Sequence, residues 1–414
     1  MQKPVLTIFY QFNPWQASLG GIQTIIRSFI KYAPAEIEIR LVGTGVGDRA
    51  MPSGQWHRAT FAGRELLFFP LFDIQEDNVR KLIPTSLRYT LALFRHDLSS
   101  DFMHFHRMEP AIAAFRWAGH KLLYIHNDMH QKVKASKDRQ SFLWQRFPWL
   151  YFALERLLLR QFGTVLSCNS ETTEFYHKQY PAFADRIFHV RNAVDDEVFY
   201  PISAAERTAR RESLAQQLTL PKHTRFFLFA GRLHPQKDPL LLLQSLAALS
   251  DPRAHLLIAG AGELTQAVQA EIARLNLTSQ VTLLGTVDQF QLSQLYHAAE
   301  AFVLSSVYEG LPIVALESLA CGTPVITTRA GDTPNVLTPN SGIVCDERSA
   351  EAIAGAMAQL LNHPERYPQS ACIQAVKPYR GKTVIRKIYA DMLAQWAQQT
   401  GQSSREKQFM LLPR

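Results

Sequence analysis

Short apolar runs alternate along this chain with longer stretches whose apolar positions fall three and four apart, a rhythm that predicts strands separated by helices. In the first half the spacing predicts strands at 5–9, 37–42, 102–106, 121–126 and 164–169, a helix over 22–32, and a long amphipathic helix over 149–162. Residues 186–194 read as a strand running into a loop, and 195–201 as a boundary. After a polar helix at 203–217 the alternation becomes regular. Strands at 225–230, 255–259, 281–284, 301–305 and 325–328 enclose helices at 239–249, 263–275, 290–298 and 312–320. Strands spaced by helices in this order make βαβ units and a parallel sheet covered on both faces. The expected architecture is α/β, with two Rossmann-like doubly wound domains, 1–197 and 198–382, facing a cleft that holds the ligand at the carboxyl ends of the strands. A late amphipathic helix at 383–399 and a flexible tail at 401–414 complete the chain.

The length of 414 residues also favours two domains, because one hydrophobic core seldom grows that large. Cys168, Cys321, Cys345 and Cys372 form no C-x-x-C pair and no Cys/His cluster. That argues against a disulfide scaffold or a zinc module and for a reducing, cytoplasmic setting. Residues 1–9 read as the first strand rather than a secretory leader, and no run of about 18 uncharged apolar residues is present to span a bilayer. The formal charge of +8 is unevenly placed: fourteen basic and six acidic side chains fall between Arg80 and Arg160, so the rest of the chain sums to zero. The same window holds the aromatic run from Phe142 to Phe152. Such a window suits an anionic lipid surface, with the chain peripheral on the inner face of a membrane, and equally suits the solvated edge of ordinary helices. Nucleic acid is disfavoured, since no recognisable binding module accompanies the charge.

Two segments of the second half concentrate candidate chemistry. In the first, Ser305 ends a strand, Gly310 permits a tight turn, and Pro312 is expected at the first position of a helix, where proline is tolerated. The N–H groups of Gly310, Leu311 and Ile313 then form an anion site at the helix start. Glu309 stands just before that site, and Glu317 lies about a turn and a half inside the helix. A buried acid beside an anion site needs hydroxyl donors, which a sugar supplies. In the second segment an apolar strand runs into Gly231, and Arg232 and Lys237 follow in a proline-containing loop, placed to hold a diphosphate. Either pair read alone is equally an ordinary helix acid or a solvated loop cation. In the first half, Gly20 and Gly21 lie between the first strand and the first helix, and His126 tips another strand. His104 and His106 belong to the same class as His126, with less support. The stretch Gly260-Ala261-Gly262 imitates a dinucleotide fingerprint, but Thr265 replaces the third glycine and Glu263 would repel pyrophosphate, so it reads as a close strand-to-helix turn. No isolated D-x-D is present.

Together these residues resemble the retaining glycosyltransferases of family 4, the glycosyl transferases group 1, which have the GT-B architecture. The resemblance rests on Gly231-Arg232 with Lys237, on Gly260-Ala261-Gly262, on Gly285-Thr286-Val287, and on Glu309 and Glu317 with seven residues between them. Thinner support comes from Gly20-Gly21-Ile22-Gln23, His126 and Arg191-Asn192-Ala193-Val194-Asp195. The resemblance implies a hexosyltransferase-type enzyme whose donor is a nucleotide-diphosphate sugar and whose acceptor is a saccharide or a lipid-linked saccharide, as in polysaccharide or glycoconjugate synthesis. It implies no cofactor and no divalent metal. It makes His126, Arg232, Lys237 and Glu309 the catalytic group. Arg232 and Lys237 grip the diphosphate, Glu309 the sugar hydroxyls and Glu317 the ribose. Val287 borders the base, Gly21 lies under the phosphates, Gly231 and the Gly310–Ile313 stretch complete the donor site, and Gln23 lies near the acceptor. It also implies that the helix at 383–399 packs back on the first domain. Asp238 stands where glycine is frequent in the family, and Ala193 replaces another common glycine. A nucleotide-sugar epimerase or a phosphorylase of the same architecture is the rival enzyme, and a non-catalytic binding protein on a decayed scaffold is a third possibility.

Overall fold

The computed structural model describes residues 3–16, 20–74, 84–126 and 148–400. Two sheets organise them. The first contains β1 (Val5–Phe9), β2 (Glu38–Gly45), β3 (His57–Phe61), β4 (Arg64–Asp73), β5 (Phe102–Phe105), β6 (His120–Ile125), β7 (Thr164–Ser167) and β8 (Ile187–His189), in the order β3-β4-β2-β1-β5-β6-β7-β8. All pairs are parallel except β3 with β4. The second sheet is wholly parallel, with β9 (Arg225–Ala230), β10 (Ala254–Ala259), β11 (Val281–Gly285), β12 (Ala301–Leu304), β13 (Val325–Thr328) and β14 (Gly342–Cys345) in the order β11-β10-β9-β12-β13-β14. Central strands of such sheets are covered on both faces, which is why Phe226 to Ala230 run as an unbroken apolar stretch, all buried.

Helices cover both faces of the first sheet. The helix α1 (Gly21–Lys31) lies on one face; on the other pack α2 (Thr85–Leu93), the 3₁₀ segment Glu109–Arg116, α3 (Pro148–Leu159) and α4 (Ser170–Gln179). The second sheet carries α5 (Ala204–Gln217), α6 (Pro239–Leu249), α7 (Thr265–Arg274), α8 (Gln289–Ala298), α9 (Ile313–Ala320), α10 (Thr333–Val336), α11 (Ala350–Asn362) and α12 (Gln369–Val376). Local chemistry fixes several starts: Ser203 and Glu206 form a reciprocal capping box on α5, and Asp288 with Gln291 does the same on α8.

The last helix, α13 (Gly381–Gln399), returns to the first lobe. Its Ile385, Ile388, Tyr389 and Met392 join the same core as Ile25, Ile26 and Phe29 of α1, and the Tyr389 hydroxyl donates to the Phe29 carbonyl at 2.8 Å. The two strands of chain that pass between lobes are tied together. The Val194 N–H donates to Tyr379 O at 2.9 Å and the Gly381 N–H to Val194 O at 2.7 Å. A Cβ on Gly381 would meet that carbonyl at 2.7 Å, so only glycine fits the crossing. Beside it, buried Asp195 accepts from Lys31 at 2.7 Å and from the Tyr32 hydroxyl at 2.8 Å.

The hydrophobic pattern predicts none of α2, α4, α11, α12 or the β3–β4 hairpin. The hairpin turn uses Ala62 and Gly63, both at positive φ. A further departure is Pro312, which precedes α9 as its N-cap with extended backbone (φ −67°, ψ 125°) rather than occupying the first helical position. The tail at 401–414 and residues 142–147 of the aromatic run lie outside the described residues. No helix among the described residues is long and apolar enough to cross a membrane.

Candidate functional site

The carboxyl edge of the second sheet carries the donor-side candidates on three loops. After β9 the chain turns at Gly231 (φ +154°), and the neighbouring loop after β10 presses against it. A Cβ on Gly260 would lie 1.9 Å from Gly231 O, and one on Gly262 would lie 2.4 Å from Leu233 O. These glycines therefore serve close backbone packing, in line with rejecting a dinucleotide fingerprint. Arg232, next in the chain, is exposed and makes no hydrogen bond or ion pair among the described residues. Lys237 joins Glu309 on the loop after β12, Nζ to Oε1, at 2.5 Å. Glu309 is 7% exposed and also accepts from Ser306 Oγ at 2.6 Å.

Both loops are held in place by their own polar groups. The Ser305 hydroxyl is 2.9 Å from Lys237 O and 2.8 Å from Asp238 O, and Gln236 Nε2 donates to Tyr308 O at 3.0 Å. Asp238 sits at φ +43°, a left-handed conformation that glycine adopts without strain. The aspartate offsets that strain by capping α6 through Leu241 N and by pairing with Arg348. The departure from the family's frequent glycine is thus accommodated.

From Gly310 the chain enters α9, which has neither a side-chain cap nor an acid in its first turn, so its leading N–H groups remain available to an anion. Contacts from the first lobe hold this turn. Asn192 Nδ2 donates to Leu311 O at 2.6 Å. Asp332, whose N–H donates to Gly310 O, accepts from the Ser170 N–H at 3.1 Å and the Ser170 hydroxyl at 3.0 Å. Opposite stands the start of α1: a Cβ on Gly21 would touch Ile313 Cδ1 at 3.6 Å. Two helix N-termini, one per lobe, therefore meet at the cleft. Gln23 folds back over its own helix start, its Oε1 2.6 Å from where a Cβ on Gly20 would be.

His126 reaches the same place from β6, its carbonyl 3.8 Å from a Cβ built on Gly310. Its ring stacks on Tyr124 with centroids 4.5 Å apart, and its Nε2 lies 2.8 Å from Nδ1 of buried His106. Burial and the nearby Arg107 push His126 down to about 3, so the ring is neutral at physiological pH. Burial also holds His106 well below the ordinary range. Two neutral imidazoles share one proton across this contact. With that proton on His106 Nδ1, His126 accepts at Nε2 and keeps its own proton on Nδ1 as a donor.

His106 thus fixes the tautomer of the His126 ring. On the activity proposed below, replacing His106 by alanine is expected to lower kcat about tenfold with nucleotide affinity unchanged. His106→Asn restores a donor near the Nδ1 position and should recover most of the rate. A purely structural His106 would instead lower stability in both variants alike, with no difference in kcat between them.

Not every candidate joins this group. Val287 lies past β11, two strands from β9 on the same edge, packed against the second lobe's core. Glu317 is 3% exposed and withdrawn beside Tyr296, with Oε2 lacking any partner. Burial pushes its carboxyl up to about 8, Asp195 adds to the rise, and the Tyr296 hydroxyl opposes it. The pattern of single residues misses Asn192's contact, Ser170 and Asp332. They act between lobes, and no local spacing marks them.

Comparison with known proteins places this geometry. Residues 210–375 match the family model described as glycosyl transferases group 1. A D-inositol 3-phosphate glycosyltransferase of Corynebacterium glutamicum is 32% identical over 214 residues, 49% of this chain and 50% of the relative. The match thus spans about half the length of that curated relative. Among solved structures, sucrose-phosphate synthase from Thermosynechococcus elongatus superposes with a TM-score of 0.75 at 19% identity, covering 97% of this chain and all of that one. Anabaena HepE in complex with UDP-glucose gives 0.70 at 16% identity, covering 95% of this chain and all of that one. Residues 210–375 thus resemble the glycosyl transferases group 1, within a chain that has the two-lobed GT-B fold.

Proposed function

We propose that the protein is a retaining, metal-independent glycosyltransferase that moves a hexosyl unit from a nucleotide-diphosphate sugar to a saccharide or lipid-linked saccharide. The observation that carries this reading is the Lys237–Glu309 pair beside the uncapped start of α9. It holds a cation suited to phosphate and a carboxylate suited to sugar hydroxyls in one place. The UDP-glucose complex of HepE agrees with such a donor.

With donor bound, Lys237 exchanges Glu309 for the diphosphate, where exposed Arg232 and the α9 N–H groups join it. Glu309, released, accepts hydrogen bonds from the sugar, and His126 donates one. The bond from the anomeric carbon to the diphosphate oxygen breaks, its electron pair staying on the diphosphate. The acceptor oxygen bonds to the same face of that carbon, and its proton passes to the departing phosphate oxygen. No protein nucleophile is needed, because the positive side chains and the helix start stabilise the leaving charge. Incubation of the chain with a panel of nucleotide sugars, with and without saccharide acceptors, tests the reading. It expects donor consumption to depend on acceptor and the product to keep the donor's anomeric configuration. Inverted product, or donor isomerised without acceptor as by an epimerase, would refute it.

A further inference from the structure

The outer layer of the first lobe, formed by α2, the 3₁₀ segment Glu109–Arg116 and α3, has a composition that the catalytic cleft does not explain. Eleven large hydrophobic side chains are exposed among the described residues, and five of them lie on this layer: Leu87 (48%), Leu91 (55%), Phe94 (58%), Phe115 (60%) and Leu157 (48%). The first three recur at helical spacing along α2 and its C-cap Phe94, so they form a stripe rather than scattered singletons. Five exposed arginines flank them: Arg88, Arg95, Arg116, Arg156 and Arg160. The helix α2 itself carries no acid, and Glu109, the exposed acid of the 3₁₀ segment, is 3.5 Å from Arg107. The layer is continuous, since α2 packs on the 3₁₀ segment and Gln161, just past α3, donates to Ala111 O at 3.0 Å. Glu171 and Glu174 on α4 mark where the positive face ends.

From this juxtaposition we infer that the α2–α3 face docks on an anionic lipid bilayer, with Leu87, Leu91 and Phe94 entering the headgroup region and the arginines meeting lipid phosphates. Charge complementarity selects this occupant: apolar side chains alone would suit any greasy partner, but five exposed arginines on the same layer, against Asp97 and Glu109 as exposed acids, match an anionic interface. A recess lined by Arg156, Leu157, Arg160, Gln179 and Tyr180 offers room for a headgroup within the same face. In a parallel sheet the connecting helices run back from the carboxyl edge, so this face begins at the cleft rim. A bilayer seated there brings a lipid-linked acceptor to the rim. The inference thereby extends that arm of the proposed function and names the surface that carries it.

Co-sedimentation of the full chain with phosphatidylcholine vesicles, with and without about a third phosphatidylglycerol, at low and high salt, tests this. Binding is expected on the anionic vesicles and at least about tenfold weaker on neutral ones or at high salt. The variant Leu91→Ser/Phe94→Ser should lose at least about tenfold in vesicle affinity while keeping its fold and its binding of nucleotide sugars. Equal binding to neutral and anionic vesicles, or an unaffected stripe variant, overturns the inference. So does self-association in light scattering that the variant abolishes, since the stripe would then be a protein interface. Nucleotide-sugar binding is measured separately, so failure of the docking surface and failure of the proposed activity are told apart.

Discussion

Replacing Arg232 and Lys237 together by alanine is expected to reduce sugar transfer by at least about a thousandfold, because each removes a cation from the leaving diphosphate where no metal is invoked. Loss of a single preorganised donor at a developing anion typically lowers rate by about a hundredfold to a thousandfold. The two residues approach the task differently. Arg232 is exposed and unengaged, whereas Lys237 is already paired with Glu309 at 2.5 Å. Lys237→Ala alone therefore also leaves a mostly buried carboxylate with Ser306 as its remaining donor, and some stability is lost with it. Arg232→Ala carries no such structural penalty. Circular dichroism of the double variant separates the two effects: a folded, inactive protein supports the assignment, and near-normal turnover removes it.

The second large effect concerns Glu317 and pH. Its carboxyl, pushed up to about 8 by burial, keeps a proton in the native state that the unfolded chain releases near pH 4.5. Between those values unfolding releases a proton, so this residue makes stability fall as pH rises, and the loss is complete above about pH 8. Glu317→Gln removes the dependence. The variant should match the parent near pH 5 and exceed it by a few kcal/mol at pH 9, read from denaturant unfolding at both values. Ligand binding should reverse the balance. Its Oε2 has no hydrogen-bond partner among the described residues, and a ribose hydroxyl donating to it, if the proposed donor places one there, favours the ionised form. Donor binding near pH 7 is then expected to expel up to about one proton, measurable by titration calorimetry in buffers of different ionisation enthalpy. The Gln variant should bind at least about tenfold more weakly and release none. Proton release that survives in the variant would place its source elsewhere.

The sequence shows most of the second lobe because parallel strands buried on both faces are continuous apolar runs, as in Phe226–Ala230 and Leu256–Ala259. The β3–β4 hairpin escapes that logic. It lies at a sheet edge, β3 mixes polar and apolar residues, and its turn places Ala62 at a positive φ where glycine or asparagine gives the usual signal. Arg232, Lys237, Glu309 and Glu317 can be picked out as candidates because each sits at a fixed offset from a strand end or helix start. Their mutual engagement cannot. That Lys237 is held by Glu309 while Arg232 is unpaired depends on two loops from different strands meeting. The Ser170–Asp332 and Asn192–Leu311 contacts depend on the two lobes meeting, and His106 gains its meaning only when β5 and β6 lie side by side. Periodicity along one segment carries none of this information.

The most direct test of the account is a crystal structure of the chain grown with a nucleoside diphosphate, tried with uridine, adenosine and guanosine forms. The diphosphate is expected in the cleft, within hydrogen-bonding distance of Arg232, Lys237 and the N–H groups at the start of α9, with Glu309 released from Lys237. A diphosphate bound away from those groups, or a Lys237–Glu309 pair unchanged beside a bound nucleotide, would contradict it.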